Sequence, residues 1–573
     1  MALRPAAVGL PLAWMLLAGD PHLAIMGSMG SAAFLVRRAP PRRLVRSLTS
    51  LVLGAGLGAM LAAVQLVPSL LLFRETPRAT GAGIVGPDYW RFDLAQLSGM
   101  VSPDALLGRD VMFDSTYLGL GVLALAVTGA LARGASRGAL VGIAVVSMVL
   151  AAGSVTPLWS VFSAAVPFWK SFQFPVKAVG PAMLAVPLLA ARGAQQVLRS
   201  DLRRLLPGGL CAVAVVLGGA LSQWGTAGWA LGLAGVLVIA AQRRALAPAL
   251  AWCALVLVAL ELGLVNQRVV PTTPEDAYEP PPLARALAQN GVSGEGFSYL
   301  FAWKASHPFG PGLEQSRAQN EALMPLRGAL HGLPTSNVYL QGFSARYKEL
   351  VLAQRERWLG GLAGVFGTRF FIAAPSQLRP EQLQHVVARD ERVDAVVVPF
   401  RRFLPRAYVT QGVTVRPRAE VPDYLGSPSF RAGAEVVLEA EAPGVSPDLA
   451  RAPEGAARPV ERIRRDGDAV EIETTLSQPG MLVLNESFYE GVEASEGGTP
   501  LPMYPANHLA RAVPLGAGRH VVRFEYRTPG LTVGAGLSAS AVVLLSIAEL
   551  GRRRLRLRTP LRVAPAADEG RPP

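Results

Sequence analysis

The sequence predicts a polytopic α-helical membrane protein of about ten spans. It also predicts a large extracytoplasmic α+β segment that ends in a small β-sandwich just before the last helix. Three observations carry this expectation. Hydrophobic residues make up 51% of the 573-residue chain and charged residues only 17%, against about 25% charged in soluble domains; mean hydropathy is +0.33. The apolar residues gather into blocks that approach the roughly 20 residues needed to cross a hydrocarbon core about 30 Å thick. Lys and Arg, finally, fall mostly in alternate connections between those blocks.

Apolar windows between charged breaks place the spans at about 5–19, 22–36, 47–73, 115–132, 138–153, 175–192, 205–222, 226–241, 246–264 and 530–550. The first two are short and read as a tight helical hairpin around Asp20-Pro21. No cleavable signal peptide is evident, because a second apolar run stands where a polar cleavage region belongs. One set of connections holds twenty basic residues, from Arg4 and Arg37 through Arg192 and Arg243 to the tail at Arg562. The alternate set holds six: Arg74, Arg78, Arg91, Arg109, Lys170 and Lys177. Positive charge stays on the cytoplasmic side. The tail is therefore expected to be cytoplasmic, and the loop 74–114 and the segment 265–529 to lie outside. The net charge of +14 is explained by topology and calls for no nucleic-acid partner. Cys211 and Cys253 both lie in apolar runs, so no disulfide framework or Cys-based metal site is expected.

The domain organisation expected is a multi-span domain (1–264), a mixed α/β segment (265–429), a β-sandwich (430–528), a last helix (529–550) and a basic tail (551–573). Val393–Pro399 and Ala407–Gln411 read as buried strands, and Ser344–Leu362 as helix. Ala469–Thr474 and His520–Arg527 alternate apolar and polar residues, the period of half-buried strands. Pro479-Gly480, Gly497-Gly498 and Gly516–Gly518 supply turns. The basic run Arg458–Arg465 reads as a solvated face. Gly54, Gly56 and Gly58 read as helix-packing positions.

The most distinctive stretch is Asn485-Glu-Ser-Phe-Tyr-Glu-Gly491, followed by Tyr504-Pro-Ala-Asn507, Arg511-Ala-Val-Pro514, Gly518-Arg-His520 and Phe524-Glu-Tyr526, running into a membrane span. It resembles the end of the YfhO family of bacterial membrane proteins, with Val492 where that family usually has Trp. Leu17–His22, Pro68 to Arg78, Tyr117-Leu-Gly119, Pro167 to Lys177 and Leu404-Pro-Arg-Ala407 resemble further family segments in the same order. The resemblance implies a GT-C-like glycosyltransferase fold in a bacterial cytoplasmic (inner) membrane. It further implies a polyprenyl-phosphate-linked sugar donor, an envelope polysaccharide or teichoic-acid-like acceptor, and an inverting displacement aided by an acidic base. This chain begins almost at the family's Gly-x-Pro turn, so the expectation is that the family's opening spans and first outer loop are missing. A second function therefore stays open: a non-catalytic scaffold or accessory subunit that binds envelope polymers through its outer domain.

Transfer from a lipid phosphate needs a carboxylate for the acceptor proton and cations for the leaving phosphate. Asp20, in a Gly-Asp-Pro-His turn at the bilayer edge, is the catalytic candidate. Its competing role is a helix cap, since Asp before Pro starts helices well. His22, Arg78, Lys170, Gln173 and Lys177 are the substrate-binding candidates, with snorkelling toward headgroups the competing role for the cations. The sequence establishes no cofactor; Asp104, Asp110 and Asp114 offer oxygen ligands for a divalent cation, with a solvated loop the competing reading, since their spacing matches no defined metal loop. Walker A, dinucleotide, zinc-protease and nucleophile-elbow motifs are absent from the sequence. The lone intramembrane acid Glu261 does not make a transporter, which would show paired buried charges and repeat symmetry.

Overall fold

The computed structural model describes residues 5–19, 21–38, 41–80, 90–102, 116–134, 136–165, 174–199, 224–267, 275–302, 313–324, 327–336, 344–352, 354–439 and 457–558. The apolar blocks form α1 (Pro5–Leu17), α2 (Pro21–Arg38), α3 (Pro41–Leu61), α4 (Ala63–Arg74), α5 (Leu120–Leu131) and α6 (Arg137–Ala151). They continue as α7 (Gly180–Arg199), α8 (Trp224–Gln242), α9 (Ala247–Asn266) and α10 (Leu531–Arg558). The chain is a membrane protein with a β-rich domain, but a count of about ten spans is not supported. Among the described residues four helices are long and apolar enough to cross a membrane: Arg42–Leu61, Pro175–Leu198, Ala247–Asn266 and Leu531–Gly551. The apolar stretches Pro5–Leu17, Ala63–Arg74, Leu120–Leu131, Arg137–Ala151 and Gly228–Gln242 run to 10–17 residues, short of the roughly 20 that a bilayer core needs. The expected span 205–222 lies outside the described residues.

The expected span 47–73 divides for a specific reason. Ala62 breaks the helix between α3 and α4, and Ser538 of α10 fills the break. Its hydroxyl accepts the Val64 N–H at 3.0 Å and reaches the Leu61 carbonyl at 3.0 Å. A side chain inserted into a helical ladder is one of the few causes of a sharp break. α10 also continues to Arg558, past the residue 550 expected from hydropathy.

Close helix approach depends on missing side chains. A Cβ on Gly54 would lie 2.6 Å from the Val8 Cβ, and one on Gly58 would lie 2.8 Å from the Gly9 carbonyl, so α1 and α3 pack backbone to backbone. Gly56 faces open space. Gly129 and Gly193 serve the α5–α7 crossing, where added Cβ atoms would come within 1.9 Å of Leu189 O and 2.0 Å of Leu125 O. The intramembrane acid Glu261 is buried and satisfied: the Tyr117 hydroxyl donates to it at 2.6 Å beside the start of α5. Its role is structural here, in keeping with the need to pair charge inside a membrane.

The β-rich domain is a stack of three sheets. Outermost is a five-stranded sheet in the order Thr499–Leu501, Val492–Glu496, Gly518–Tyr526, Ala469–Leu476, Arg462–Asp466. At the centre lies a seven-stranded sheet: Gly412–Val415, Glu435–Leu438, Tyr504–Ala506, Ala510–Leu515, Gly480–Leu484, Ala407–Thr410 and Arg458–Pro459. A four-stranded sheet (Ser298–Phe301, Thr368–Ala373, Ala395–Pro399, Ala388–Asp390) completes the stack. The sandwich thus draws on residues from Ala407 onward, ahead of the residue 430 at which the sequence places its start.

Alternation explains why the central strands read as solid apolar runs. Met481 and Val483 point into the core shared with the four-stranded sheet, whereas Leu482 and Leu484 point into the core shared with the five-stranded sheet. Phe371 and Val396 likewise face the central sheet, while Phe370 and Val397 face the helix Pro282–Gln289 through Leu283 and Leu287. Sheets covered on both faces lose the polar half of the period-two pattern. Ser344–Leu362 is not one helix but three short helical turns, broken near Leu352 and at Gly360.

The glycine crossings give a first test. Gly129→Ala forces α5 and α7 apart and costs at least the 1–3 kcal/mol typical of overpacking, read as a lower melting temperature in detergent. Gly56→Ala, on an open face, leaves it unchanged.

Candidate functional site at the foot of the β-rich domain

The residues proposed from sequence are only partly within the described structure. Asp20, Lys170, Gln173 and the acidic group Asp104, Asp110 and Asp114 lie outside the described residues. His22 is the second residue of α2, and its side chain also lies outside them. Lys177 sits in the one-turn helix Pro175–Val179, which follows Phe174 at a left-handed φ of 67°. Its Nζ lies 6.0 Å from the Phe174 ring centre. That ring pairs with Trp90 at 5.1 Å. Met26 of α2 packs in the same core as Phe174, Trp159 and Val176. The turn carrying Lys177 and the helix that begins beside His22 are therefore brought together. The aromatic residues Trp159 and Phe174 are buried in protein, so among the described residues they line no lipid groove. Arg78 lies on a separate turn, Pro77–Thr80, where burial lowers its guanidinium pKa. Among the described residues no group of His, Cys, Asp and Glu side chains could hold a metal ion.

The structure adds a carboxylate that the sequence did not single out. Glu75 closes α4, its N–H bonded to the Leu72 carbonyl at 3.0 Å. The β-rich domain docks on it from above. The Glu75 carbonyl accepts the Ala345 N–H at 2.8 Å, and its carboxyl accepts the Glu490 N–H at 3.3 Å. Burial, and then the nearby Glu490 carboxylate, push the Glu75 pKa up, against the pull of the Glu490 N–H and Arg346. A half-buried carboxyl whose ionisation is opposed in this way has the make-up of a general base. Arg78 follows within one turn of chain.

Arg346 belongs to a buried charge network that stiffens the docked edge. Its guanidinium meets Glu439 at 2.5 Å, reaches the His508 carbonyl at 3.1 Å and lies over the Phe488 ring at 5.3 Å. The fully buried His508 ring stands 3.0 Å from Glu439 and 3.1 Å from Glu349 through its two nitrogens. Asn507 and His508 both take positive φ, 47° and 66°, a conformation asparagine tolerates. The Asn507 amide is fixed in place, accepting the Val437 N–H at 2.9 Å and donating to Tyr408 at 3.2 Å. The partners come from stretches far apart in sequence, 346–349, 437–439 and 507–508, so no spacing within one stretch could have revealed the network.

No family profile and no curated protein matches the chain. Among solved structures it is similar to the arabinofuranosyltransferase AftD from mycobacteria, at a TM-score of 0.34, 12% identity and 92% coverage of this chain. A second structure of AftD gives a TM-score of 0.34 at 13% identity. The chain spans about half the length of the solved chains it matches, 47% and 45%. A likeness at that TM-score carries nothing further for this chain.

Glu439 supplies a pH test. Burial opposes its ionisation, yet His508 and Arg346 together hold its carboxyl below the ordinary glutamate value of 4.5. A lowered folded-state pKa gives stability that is present above pH 4.5 and lost as pH falls through the folded value. The β-rich domain should therefore loosen in acid, and Glu439→Gln should flatten that acid limb in a melting-temperature series.

Proposed function

We propose that the chain is a membrane glycosyltransferase of the GT-C type. It moves a sugar from a polyprenyl-phosphate carrier to an envelope polysaccharide or teichoic-acid-like acceptor at the outer face of a bacterial cytoplasmic membrane. The observation that carries this reading is the place of Glu75: a carboxyl with raised pKa at the end of an apolar helix, roofed by a β-rich domain, with Arg78 one turn away. In the proposed step the carboxylate takes the acceptor hydroxyl proton. The acceptor oxygen bonds to the anomeric carbon as the bond to the phosphate oxygen breaks, with inversion, and the phosphate leaves toward fixed cations. Arg78, Lys170 and Lys177 are the proposed cations, and His22 and Gln173 the proposed polar contacts. Asp20 competes with Glu75 for the role of base.

The excess of basic residues in alternate connections supports an outer location for the loop after α4 and for residues 265–529. The contact between Glu75 and Glu490 agrees, because it puts both segments at one end of α4. The scaffold reading has one observation in its favour: the Glu75 carboxyl already accepts a backbone N–H from the docked domain.

The test is sugar transfer from membrane-borne polyprenyl-phosphate sugar to envelope polymer, in membranes of a deletion strain complemented with variants. Glu75→Gln should lower the rate by about 10²–10⁴-fold, the usual weight of a general base, without lowering protein abundance. Full loss with Asp20→Asn and none with Glu75→Gln would move the base to Asp20. Unchanged transfer in both variants, with transfer still dependent on the chain, would favour the scaffold.

A further inference from the structure

Between the four-stranded sheet and the sandwich lies a cavity of about 340 Å³, within the range of small-molecule sites. Three motifs far apart in sequence meet in it. Arg406 comes from Leu404-Pro-Arg-Ala407, Asn485 to Tyr489 from the loop after the central strand Gly480–Leu484, and Arg511 from the strand Ala510–Leu515. Backbone contacts lock the first two together: the Asn485 N–H bonds the Arg406 carbonyl at 2.8 Å, and its side-chain amide bonds the Pro405 carbonyl at 2.8 Å. Gly367, at a φ of 74°, leaves room for this join, since a Cβ there would already touch Arg406 Cα at 3.4 Å and Asn485 Cβ at 3.6 Å.

The electrostatics are lopsided. Arg406 and Arg465 share one oxygen of Glu486, and Arg511 stands 3.5 Å from the other. Three guanidiniums thus converge on one carboxylate. Glu295 takes the Arg465 backbone N–H at 3.2 Å but is not part of the cavity wall. Burial opposes ionisation of Glu486, yet the three arginines hold its carboxyl below the usual range. Arg511 spends two donors on the Ser487 carbonyl, at 2.9 and 2.7 Å, and burial pulls its pKa down. One more feature points to a guest. Among the described residues the Trp358 indole N–H, the Arg406 Nε and the Asn485 Oδ1 are buried without a hydrogen-bond partner, and all three residues line the cavity. Trp358 itself is only 3% exposed. Orphaned buried polar atoms are rare in folded proteins and call for an explanation.

We propose that this cavity binds a saccharide bearing an oxyanion, a phosphate or a carboxylate. The surplus of guanidiniums takes the anion through charge-assisted, forked hydrogen bonds. The Trp358 N–H and the Asn485 carbonyl oxygen take sugar hydroxyls, one as donor and the other as acceptor. Tyr347, Phe366 and Tyr489 supply the apolar wall against which a sugar ring's C–H face packs. The site opens close to the membrane helices, since the residue after Tyr489 is Glu490, whose N–H bonds Glu75 at the end of α4. A lipid-linked sugar and an envelope polymer present the same anion chemistry to this site. This assignment stands whether or not Glu75 performs transfer.

The experiment is calorimetric titration of the full chain in nanodiscs with glucose 1-phosphate, glucuronate, glucose, inorganic phosphate and farnesyl phosphate. Glucose 1-phosphate or glucuronate should bind at least about tenfold tighter than glucose, the weight of one charge-assisted hydrogen bond. The same sugar anion should also bind tighter than inorganic phosphate and farnesyl phosphate. Arg465→Ala, on a part-exposed edge strand where the fold survives, should weaken the sugar anion about tenfold and leave glucose unchanged. Glu486→Gln removes the competing carboxylate, so it should tighten the anion and enlarge the melting-temperature rise that the anion produces. Sugar anions no tighter than glucose would overturn the proposal. Farnesyl phosphate as the tightest ligand would overturn the saccharide assignment in favour of a lipid site. Loss of anion binding in a folded Glu486→Gln chain would overturn the assignment of the arginines as the anion's partners.

Discussion

The contact between α4 and α10 is the constraint on which the rest of the architecture depends. A Cβ on Gly534 would lie 2.4 Å from the Ala63 carbonyl, and one on Gly530 would lie 2.8 Å from the Val67 and Leu71 side chains. Ser538 completes the seam by satisfying backbone groups on both sides of the Ala62 break. A helix from the first seventh of the chain is thereby tied to the last helix. Everything folded just before α10 must close down on the end of α4. That is why Glu490 meets Glu75 across 415 positions of sequence.

Above this seam the β-rich domain is organised by its central sheet. With both faces covered, it holds the sandwich on one side and the four-stranded sheet on the other. Loops from its strand ends carry the charged groups: Arg406, Glu486 and Asn507 all lie within two residues of a central strand. The domain therefore presents two electrostatic features at its membrane-proximal side. One is the Arg346–Glu439–His508 network, closed upon itself; the other is the arginine-rich cavity, in which cations outnumber their carboxylate. Buried charge is tolerated where partners surround it, and an unmatched guanidinium invites an anion.

Much of this was legible in sequence, for identifiable reasons. Among the described residues the apolar runs form helices, though not with the expected bounds or number of spans, because lipid leaves an apolar run few alternatives to helix. The strands Ala469–Leu476 and Gly518–Tyr526 follow a period-two pattern visible in the residues, since only one of their faces is fully covered. Hydropathy could not show the break at Ala62, which depends on a serine 476 residues later, and it could not count spans, since short apolar helices pack without spanning. Nor could it separate the three sheets, because a strand buried on both faces gives no alternation. Site residues were least legible. Arg406, Asn485 and Arg511 each lay in a stretch singled out for resemblance, but their meeting is a matter of topology. Arg465 stood in a basic run read as a solvated face; its strand is indeed an edge, yet its side chain turns inward to Glu486.

The central claim is that the β-rich domain is docked on the end of α4 and is not tethered loosely above it. Disulfide trapping in native membranes tests it most directly, with Cys211 and Cys253 replaced by Ser and Cys introduced as Glu75→Cys and Glu490→Cys. The account predicts rapid intramolecular cross-linking without an added spacer, as efficient as in a control pair, Leu61→Cys with Ser538→Cys, across the α10 seam. A control that cross-links while the 75–490 pair does not would contradict the docking, and with it the placement of Glu75 beneath the domain.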